Sequence, residues 1–278
     1  MKVSTPPIVS VCIPTYRGAE VLGATLESVL QQTFQDFELL VIDDQSPDDT
    51  AAVVASYADP RIRYHRNPVN LGPEGNWNRC LELAQGRYFK LLPHDDLLMP
   101  DCLESQVAAL DGDVDQQIAL VFGFRRIIGP TGRVIATRGR LLARPGCLDG
   151  PALVRRCVRS GGNLIGEPGN GLFRRALAEQ VGRYDASHPY VVDLDWWFRL
   201  LRHGSAWYTA RHASSFRISK GSWSVELGRR QHFDFAGLIA RVASEPAYRL
   251  RWVDAQCGLL MARLNTRIRA LFYRLFLG

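Results

Sequence analysis

The first half of the chain alternates short, β-rich apolar runs with segments whose apolar residues recur at helical spacing. The β-rich runs lie at 8–13, 37–43, 61–66, 87–92 and 118–124, and the helical segments lie at 18–32, 46–58, 73–86 and 101–110. Repeated strand–helix units of this length predict a parallel sheet with helices on both faces. We therefore expect an α/β fold.

The segment 46–58 carries a helix start signal. Ser46 is a good N-cap residue, Pro47 suits the first helical position, and two acidic residues follow at the positive end of the helix dipole. We expect this helix to begin at Ser46.

The rhythm changes after about residue 124. A hairpin is predicted over 127–136, a glycine-rich loop over 160–171, a helix over 193–204, two strands over 205–210 and 213–219, and mostly helix from about 225. We expect one α/β domain over 1–222, divided into two halves near residue 124. A helical extension is expected over 223–278.

Composition narrows the class of protein. The 278 residues are 46% hydrophobic and 22% charged, which argues for a buried core and against disorder. The formal net charge of +6 suits an anionic ligand or an anionic membrane surface rather than a cationic partner. The six cysteines show no CxxC or zinc-ligand spacing, and no uncharged apolar stretch is long enough to span a membrane. We expect a cytoplasmic protein, soluble or peripheral at the inner face of the cytoplasmic membrane.

Polar clusters follow three of the predicted strands, at 14–17, 43–44 and 93–96. Ligands of parallel sheets bind at the carboxyl ends of the strands. An aspartate pair after one strand is a common start of a turn, but two such pairs favour a site. Magnesium and manganese take oxygen ligands and often use one or two carboxylates plus substrate phosphates. Asp96 would hold such an ion, while Asp43 and Asp44 suit the base or ribose of a nucleotide.

Three stretches of this chain resemble a known family. They are "VSVCIPTYRGAEVLGATLESVLQQTFQDFELLVIDDQSPDDT", "NLGPEGNWNRCLELAQGRYFKLLPHDDLLMPDCLE" and "GRYDASHPYVVDLDWWFRLLRHG". In order and spacing they resemble family 2 glycosyltransferases over roughly residues 8 to 204. The resemblance implies the Rossmann-like GT-A fold, with a nucleotide-sugar half up to about 124, an acceptor half over 125–222 and a helical tail. It also implies inverting transfer from a nucleotide-sugar donor with a divalent metal, Mn²⁺ or Mg²⁺.

The resemblance also assigns roles to single residues. Asp193 matches the catalytic base, and Asp96 matches the metal ligand, with Asp95 beside it near the ion and the ribose or sugar. The resemblance does not assign the cation expected near the departing diphosphate; Arg217 and the pair Arg229 and Arg230 are the candidates. The donor-binding positions are Pro14, Thr15, Tyr16, Asp43, Asp44, Gly72, Asn78, Asp95 and Arg217.

The chain departs from the family pattern at several positions. Pro93 stands where the metal motif often has a leading carboxylate, and Val192 stands where a glutamate often precedes the base. We therefore expect the ion to have few protein ligands. The Gln-x-x-Arg-Trp motif of processive synthases is absent, which favours addition of a single sugar.

The last segment, 258–278, has an amphipathic pattern. Its apolar positions on one side are Leu264, Ile268, Leu271, Phe272 and Leu275, and its basic positions opposite are Arg263, Arg267 and Arg274. This pattern suits an interfacial helix at a membrane surface, and equally a terminal helix that packs back on its domain. A membrane location would make a polyprenyl-linked saccharide a natural acceptor.

The leading hypothesis is a metal-dependent glycosyltransferase of bacterial surface polysaccharide, lipopolysaccharide or glycolipid assembly. Its donor is a UDP- or dTDP-sugar, its acceptor is a saccharide or lipid-linked saccharide, and no nucleic-acid partner is expected. A sugar nucleotidyltransferase is one alternative, although "PTYRGAE" is a poor nucleotidyl-transfer loop. A catalytically silent nucleotide-sugar-binding protein is the other.

Overall fold

One sheet of ten strands organises the computed structural model, which describes residues 6–219, 221–228 and 230–276. The strand order is β3-β2-β1-β4-β9-β6-β10-β5, with β7 paired to β6 and β8 to β10. The strands are β1 (Val9–Thr15), β2 (Phe37–Asp43), β3 (Ile62–Arg66), β4 (Tyr88–Leu91), β5 (Leu97–Leu98), β6 (Ile118–Ile128), β7 (Val134–Arg138), β8 (Gly146–Leu148), β9 (Gly171–Arg174) and β10 (Ser205–Arg217).

Most of the long strands run parallel. β1 pairs in parallel with β2 and β4, β2 with β3, and β6 with β10. β9 is antiparallel to both β4 and β6, so it joins the two parallel groups without reversing their direction. The predicted α/β class with a mostly parallel sheet is confirmed.

Ten helices cover the sheet within the described ranges. They are α1 (Leu22–Leu30), α2 (Thr50–Ala55), α3 (Gly72–Leu83), α4 (Cys102–Asp111), α5 (Gly150–Ser160), α6 (Arg175–Val181), α7 (Val192–Leu201), α8 (Trp223–Glu226), α9 (Gln231–Ala243) and α10 (Trp252–Phe276).

Two apolar cores lie on opposite faces of the sheet. Because side chains alternate along a strand, Cys12 and Leu40 face one core while Val11 and Leu39 face the other. All seven residues of β1 and of β2 are buried, as expected for strands covered on both sides.

The structure differs from the sequence prediction in the second half. The loop predicted over 160–171 runs directly into β9, a short strand that the pattern did not indicate. The two strands predicted over 205–210 and 213–219 are one strand, β10, whose register against β6 shifts between Tyr208 and Ser214. Ala210 within it has φ 52° and lies in a bulge, at the position where the sequence pattern predicted a break between two strands.

The predicted start of the second helix is wrong. α2 begins at Thr50 instead of Ser46. The side chain of Ser46 accepts a hydrogen bond from the backbone N–H of Arg17 at 3.0 Å, and its own N–H donates to Asp43 Oδ1 at 2.9 Å. Ser46 is thus part of the turn after β2, and it joins that turn to the end of β1.

The C-terminal helices pack onto the domain. α10 lies against α5, where Gly161 (φ +59°) permits close approach: a Cβ there would lie 2.3 Å from the Ala262 nitrogen. Asn265 Nδ2 donates to the carbonyl oxygens of Ser160 and Gly161 at 2.8 and 2.9 Å. In the part of the chain that the structure describes, no helix is long and apolar enough to cross a membrane.

Candidate active site

The ends of β1, β2 and β4 meet at one edge of the sheet. Thr15 at the end of β1 pairs in register with Asp43 at the end of β2, and Cys12 pairs with Leu91 at the end of β4. The backbone N–H of Asp44 donates to the Thr15 carbonyl at 2.9 Å. The three polar clusters predicted from the sequence therefore come together.

The first cluster offers one exposed ring beside a buried hydroxyl. Pro14 lies in β1, and Tyr16 directly after the strand is 41% exposed, with the Arg17 guanidinium 5.2 Å from its ring centre. Thr15 is buried, and no described residue gives its hydroxyl a hydrogen-bond partner. The flat ring of Tyr16 and the exposed Arg17 side chain are the parts of this cluster open to a ligand.

Asp43 and Asp44 have different partners. Asp43 is fully buried and accepts from the Ser46 N–H at 2.9 Å and the Tyr64 hydroxyl at 2.5 Å. Asp44 Oδ1 accepts from Asn67 Nδ2 and from the backbone N–H of Leu71, both at 2.8 Å. Asp43 therefore shapes the turn, and Asp44 ties that turn to the start of α3.

Gly72 and Asn78 lie on α3. Gly72 opens the helix with φ +71°, a conformation that glycine adopts without strain. Asn78 is buried; its Nδ2 donates to the Tyr184 carbonyl at 3.1 Å, and its Oδ1 accepts from the Tyr184 N–H at 2.8 Å. The amide of Asn78 is thus engaged with backbone, and it joins α3 to the segment that leads to Asp193.

The turn after β4 carries the second aspartate pair. Asp96 is 1% exposed and Asp95 is half-buried. Asp96 Oδ1 accepts from the backbone N–H of Arg217 at 2.9 Å. Burial, followed by the charge of Asp95, raises the pKa of Asp96 well above its ordinary value. A divalent cation would offset both effects.

Arg217 fastens this turn from the other side. Its Nε donates to the Asp95 carbonyl at 2.9 Å, and its Nη1 donates to the Pro130 carbonyl at 2.9 Å. The guanidinium that the sequence placed beside the departing diphosphate is therefore engaged with backbone oxygens. Arg230 lies 3.7 Å from Asp234 Oδ1, and Arg229 lies outside the described residues.

Asp193 lies in the first turn of α7, as predicted. Its Oδ1 accepts from the Leu194 N–H at 2.7 Å, and its Oδ2 accepts from Asn163 Nδ2 at 2.9 Å. Burial, followed by the nearby charge of Glu167, raises the pKa of Asp193 to about 7. A carboxylate with this pKa is suited to take a proton near neutral pH.

Glu167 lies near both acidic groups, and no role was predicted for its side chain from the sequence. Its charge raises the pKa of both Asp193 and Asp96. It forms an ion pair with Arg125, whose Nη2 also donates to the Asn163 carbonyl at 3.2 Å. Glu167 is the one acidic residue in the glycine-rich stretch 160–171, and this is the sequence feature that could have identified it.

Lys90 fixes the loop that carries Glu167, and it was also missed. The Lys90 side chain is fully buried, and its Nζ donates to the carbonyl oxygens of Gly169 and Gly171 at 3.0 and 2.8 Å. Burial lowers its pKa. A lysine inside the apolar run 87–92 was the signal, since buried lysines require specific partners.

The carboxylates present suit a metal ion that is also bound by the substrate better than a metal centre formed by protein ligands alone. Among the described residues, no three His, Cys, Asp or Glu side chains form a group that could hold a metal. Asp95 and Asp96 are adjacent and repel each other, and Glu167 adds a third negative charge nearby. This donor set suits an ion that takes its remaining ligands from a diphosphate.

Comparison with known proteins agrees with this geometry. The family model described as "Glycosyl transferase family 2" matches residues 10–182. MT1568 of Mycobacterium tuberculosis, an uncharacterised protein, is 34% identical over 92% of this chain and 84% of its own length. WfgD of Escherichia coli, a UDP-Glc:α-D-GlcNAc-diphosphoundecaprenol β-1,3-glucosyltransferase, is 34% identical over 44% of this chain and 47% of its own length.

Solved structures support the same fold. S. aureus TarS 1–349 in complex with UDP-GlcNAc has a TM-score of 0.66 at 18% identity, covering 94% of this chain and 72% of TarS 1–349. The mannosyltransferase PcManGT of Pyrobaculum calidifontis, in complex with GDP-Man and Mn²⁺, has a TM-score of 0.62 at 17% identity, covering 99% of this chain and 77% of its own. The sheet with its carboxylate-lined edge is therefore the GT-A fold, and the chain is a member of glycosyltransferase family 2.

Proposed function

We propose that this enzyme transfers one sugar, with inversion, from a nucleoside diphosphate donor to a saccharide carried on a lipid diphosphate. The observation that carries the proposal is Asp193. Its carboxyl group has a pKa of about 7 and lies near Glu167, whose charge also acts on the Asp95–Asp96 turn. The charge of Glu167 thus couples a candidate proton acceptor to a candidate diphosphate site.

The donor would lie along the edge formed by β1, β2 and β4. Tyr16 offers a ring for the base, and the Asp44 turn supplies the floor of the nucleoside site. Asp95 would face the ribose or the sugar. We propose that residues up to about 124 hold the donor and that 125–222 face the acceptor, since Glu167 and Asp193 both belong to the second part.

Asp96, with Asp95, would hold Mn²⁺ or Mg²⁺ together with the donor diphosphate. When bound, the ion would stabilise the negative charge that develops on the leaving diphosphate. Arg217 contributes indirectly, because its contacts with the Asp95 carbonyl and its backbone contact with Asp96 fix the turn.

Asp193 would act as the general base. The acceptor oxygen forms a bond to the anomeric carbon from the face opposite the diphosphate, the bond to the diphosphate oxygen breaks, and Asp193 takes the hydroxyl proton. Because the displacement is direct, the configuration at the anomeric carbon inverts. Asn163 holds Oδ2 by donating a hydrogen bond, which leaves the group oriented without removing its basicity.

The acceptor and donor classes rest on the relatives. WfgD is named for a UDP-sugar donor and a diphosphoundecaprenol acceptor, and TarS 1–349 was solved with UDP-GlcNAc. We propose a UDP-sugar as donor, a polyprenyl-diphosphate saccharide as acceptor, and envelope polysaccharide or glycolipid assembly as the setting. Nucleotide sugars are cytoplasmic metabolites, so the reaction would take place at the cytoplasmic face of the membrane.

Calorimetric titration tests the donor site directly. We expect UDP to bind in the presence of Mn²⁺, with weaker binding of dTDP and GDP, and we expect Asp96→Ala to remove the metal-dependent part. Asp115→Asn is the control for loss of a single negative charge, because Asp115 is exposed and is not one of the candidate site residues. Absence of nucleotide binding by the folded protein in the presence of Mn²⁺ would refute the proposal.

A transfer assay separates an enzyme from a silent binding protein. Wild-type protein should release UDP from a UDP-sugar in the presence of a synthetic polyprenyl-diphosphate saccharide. Asp193→Asn should bind UDP as tightly as wild type while losing transfer. Equal transfer by both proteins would exclude Asp193 as the base.

A further inference from the structure

The two sides of α10 have different environments. The inward side packs on α5 and α9 through residues spaced three or four apart, namely Asp254, Gly258, Ala262, Asn265 and Arg269. Arg269 Nη1 donates to Gln231 Oε1 at 2.8 Å and to the hydroxyl of Tyr190, three residues before Asp193. The helix is therefore held against the domain by contacts within the chain.

The outward side exposes large apolar residues. Leu260, Leu264, Ile268 and Leu271 are 67%, 46%, 53% and 59% exposed. Their spacing places them on one stripe along the helix, which we call the apolar stripe. Single exposed leucines are ordinary on protein surfaces, but a continuous row of four along one helix marks an interaction surface.

The arginines predicted to lie opposite the apolar residues instead lie along one border of the apolar stripe. Arg263, Arg267 and Arg274 are exposed, and the sequence contains no acidic residue after Asp254. Asp254 is itself buried and paired with Arg159 at 3.1 Å. This border is complementary to an anionic surface. Two copies of the chain packed stripe to stripe would bring their arginines together, which disfavours a dimer here.

We propose that α10 lies in the interface of an anionic lipid bilayer, with the apolar stripe at the acyl boundary and the arginines at the headgroups. An apolar face flanked by arginine on one surface helix is the physical pattern of interfacial binding. Because contacts with α5 and α9 already order the helix, binding requires no folding step. The inference goes beyond the transfer reaction, and it explains how an acceptor with a lipid tail would reach this enzyme.

Vesicle flotation of the full chain tests this surface without any nucleotide. We expect binding to vesicles that contain phosphatidylglycerol, and at least tenfold weaker binding to pure phosphatidylcholine. The stripe variant Leu264→Gln, Ile268→Gln and Leu271→Gln should bind phosphatidylglycerol vesicles at least tenfold more weakly. Val69→Gln, Val114→Gln and Val134→Gln, at exposed apolar positions elsewhere, form the matched control and should bind as wild type.

A charge variant checks the role of the arginines. Arg263→Gln, Arg267→Gln and Arg274→Gln should lose the preference for anionic lipid and most of the salt dependence of binding. Circular dichroism and UDP titration show whether each variant is folded, so a failure of membrane binding is distinguishable from a failure of the transferase proposal.

Three results would overturn the inference. One is absence of wild-type binding to phosphatidylglycerol vesicles at low salt. Another is equal binding by the wild type and the stripe variant. The third is a concentration-dependent dimer of the wild type that the stripe variant lacks, which would assign the surface to a second copy of the chain.

Discussion

Replacing Asp193 by asparagine tests the proposed chemistry and the electrostatics around this carboxyl group at once. The ordinary carboxyl pKa of 3.8 is raised to about 7 here, first by burial and then by Glu167. A change of this size corresponds to about 4 kcal/mol between the two protonation states, at about 1.36 kcal/mol for each tenfold change in acidity. The figure is an upper value, because the half-buried side chain is partly screened by solvent.

The pH dependence of the wild type follows from this pKa. Only the ionised carboxylate accepts a proton, so kcat/KM should rise about tenfold between about pH 6 and pH 8 and level off above. Asp193→Asn should lower kcat/KM by about 10²- to 10⁴-fold, the usual contribution of a general base. The measurement is UDP release at saturating Mn²⁺ over that range, with Asp115→Asn as the matched control.

The same group makes stability depend on pH with a definite sign. Since the pKa is raised in the folded state, the folded chain holds its proton to higher pH than the unfolded chain does. Stability is therefore lost as pH rises from about 4 through about 7. Asp193→Asn carries no charge to bury, so its melting temperature should gain on that of the wild type as pH increases. A flat wild-type rate profile, together with a constant difference in melting temperature, would refute the reasoning.

Four further substitutions test the surroundings of Asp193. Glu167→Gln removes a like charge, so the acid limb of the rate profile should move to lower pH; an unchanged limb would separate Glu167 from the base. Asn163→Ala removes a hydrogen bond to ionised Asp193, so that limb should move to higher pH, with UDP affinity unchanged by calorimetry. Lys90→Met leaves the carbonyl oxygens of Gly169 and Gly171 without their donor and should cost about 1–3 kcal/mol in urea unfolding, with Arg133→Met, at an exposed arginine between β6 and β7, as control. Gly161→Ala places a Cβ against the backbone of α10 and forces alanine into the αL conformation, so it should lower the unfolding free energy by at least about 1 kcal/mol. Gly132→Ala is the control: its φ is also positive (+82°), but no atom lies near the added Cβ, so only the backbone strain should destabilise it.

The buried strands and the acidic pairs were predictable from sequence because each has a local signature. The run 37–43 is apolar at Phe37 and throughout 39–42, and its bounds match β2. Asp193 was identified by family resemblance and not by any local pattern. Asp96, Glu167 and Asp193 are far apart in the chain, and only the fold brings Glu167 close enough for its charge to influence the other two.

Residues with tertiary partners were beyond sequence reasoning. From the sequence, Arg217 was a candidate free cation near the leaving group. In the structure its side-chain N–H groups donate hydrogen bonds to carbonyl oxygens of the Asp95 turn and of the β6–β7 hairpin. β9 is only four residues long and opens with Gly171, so no period could identify it. β9 forms because β4 and β6 each offer an edge with which it can pair, and both strands are far from β9 in the sequence.

The antiparallel position of β9 has a consequence for dividing the protein. β4 has β1 on one side and β9 on the other, and β9 is contributed by residues 171–174. A fragment ending near residue 124 would keep β4 but leave one of its edges unpaired, with the apolar side chains of Tyr88, Phe89 and Leu91 along it. An open, apolar strand edge is a template for intermolecular pairing. A fragment of residues 1–124, expressed alone, should therefore aggregate, and two-hybrid or fusion experiments on this enzyme need both sides of the sheet.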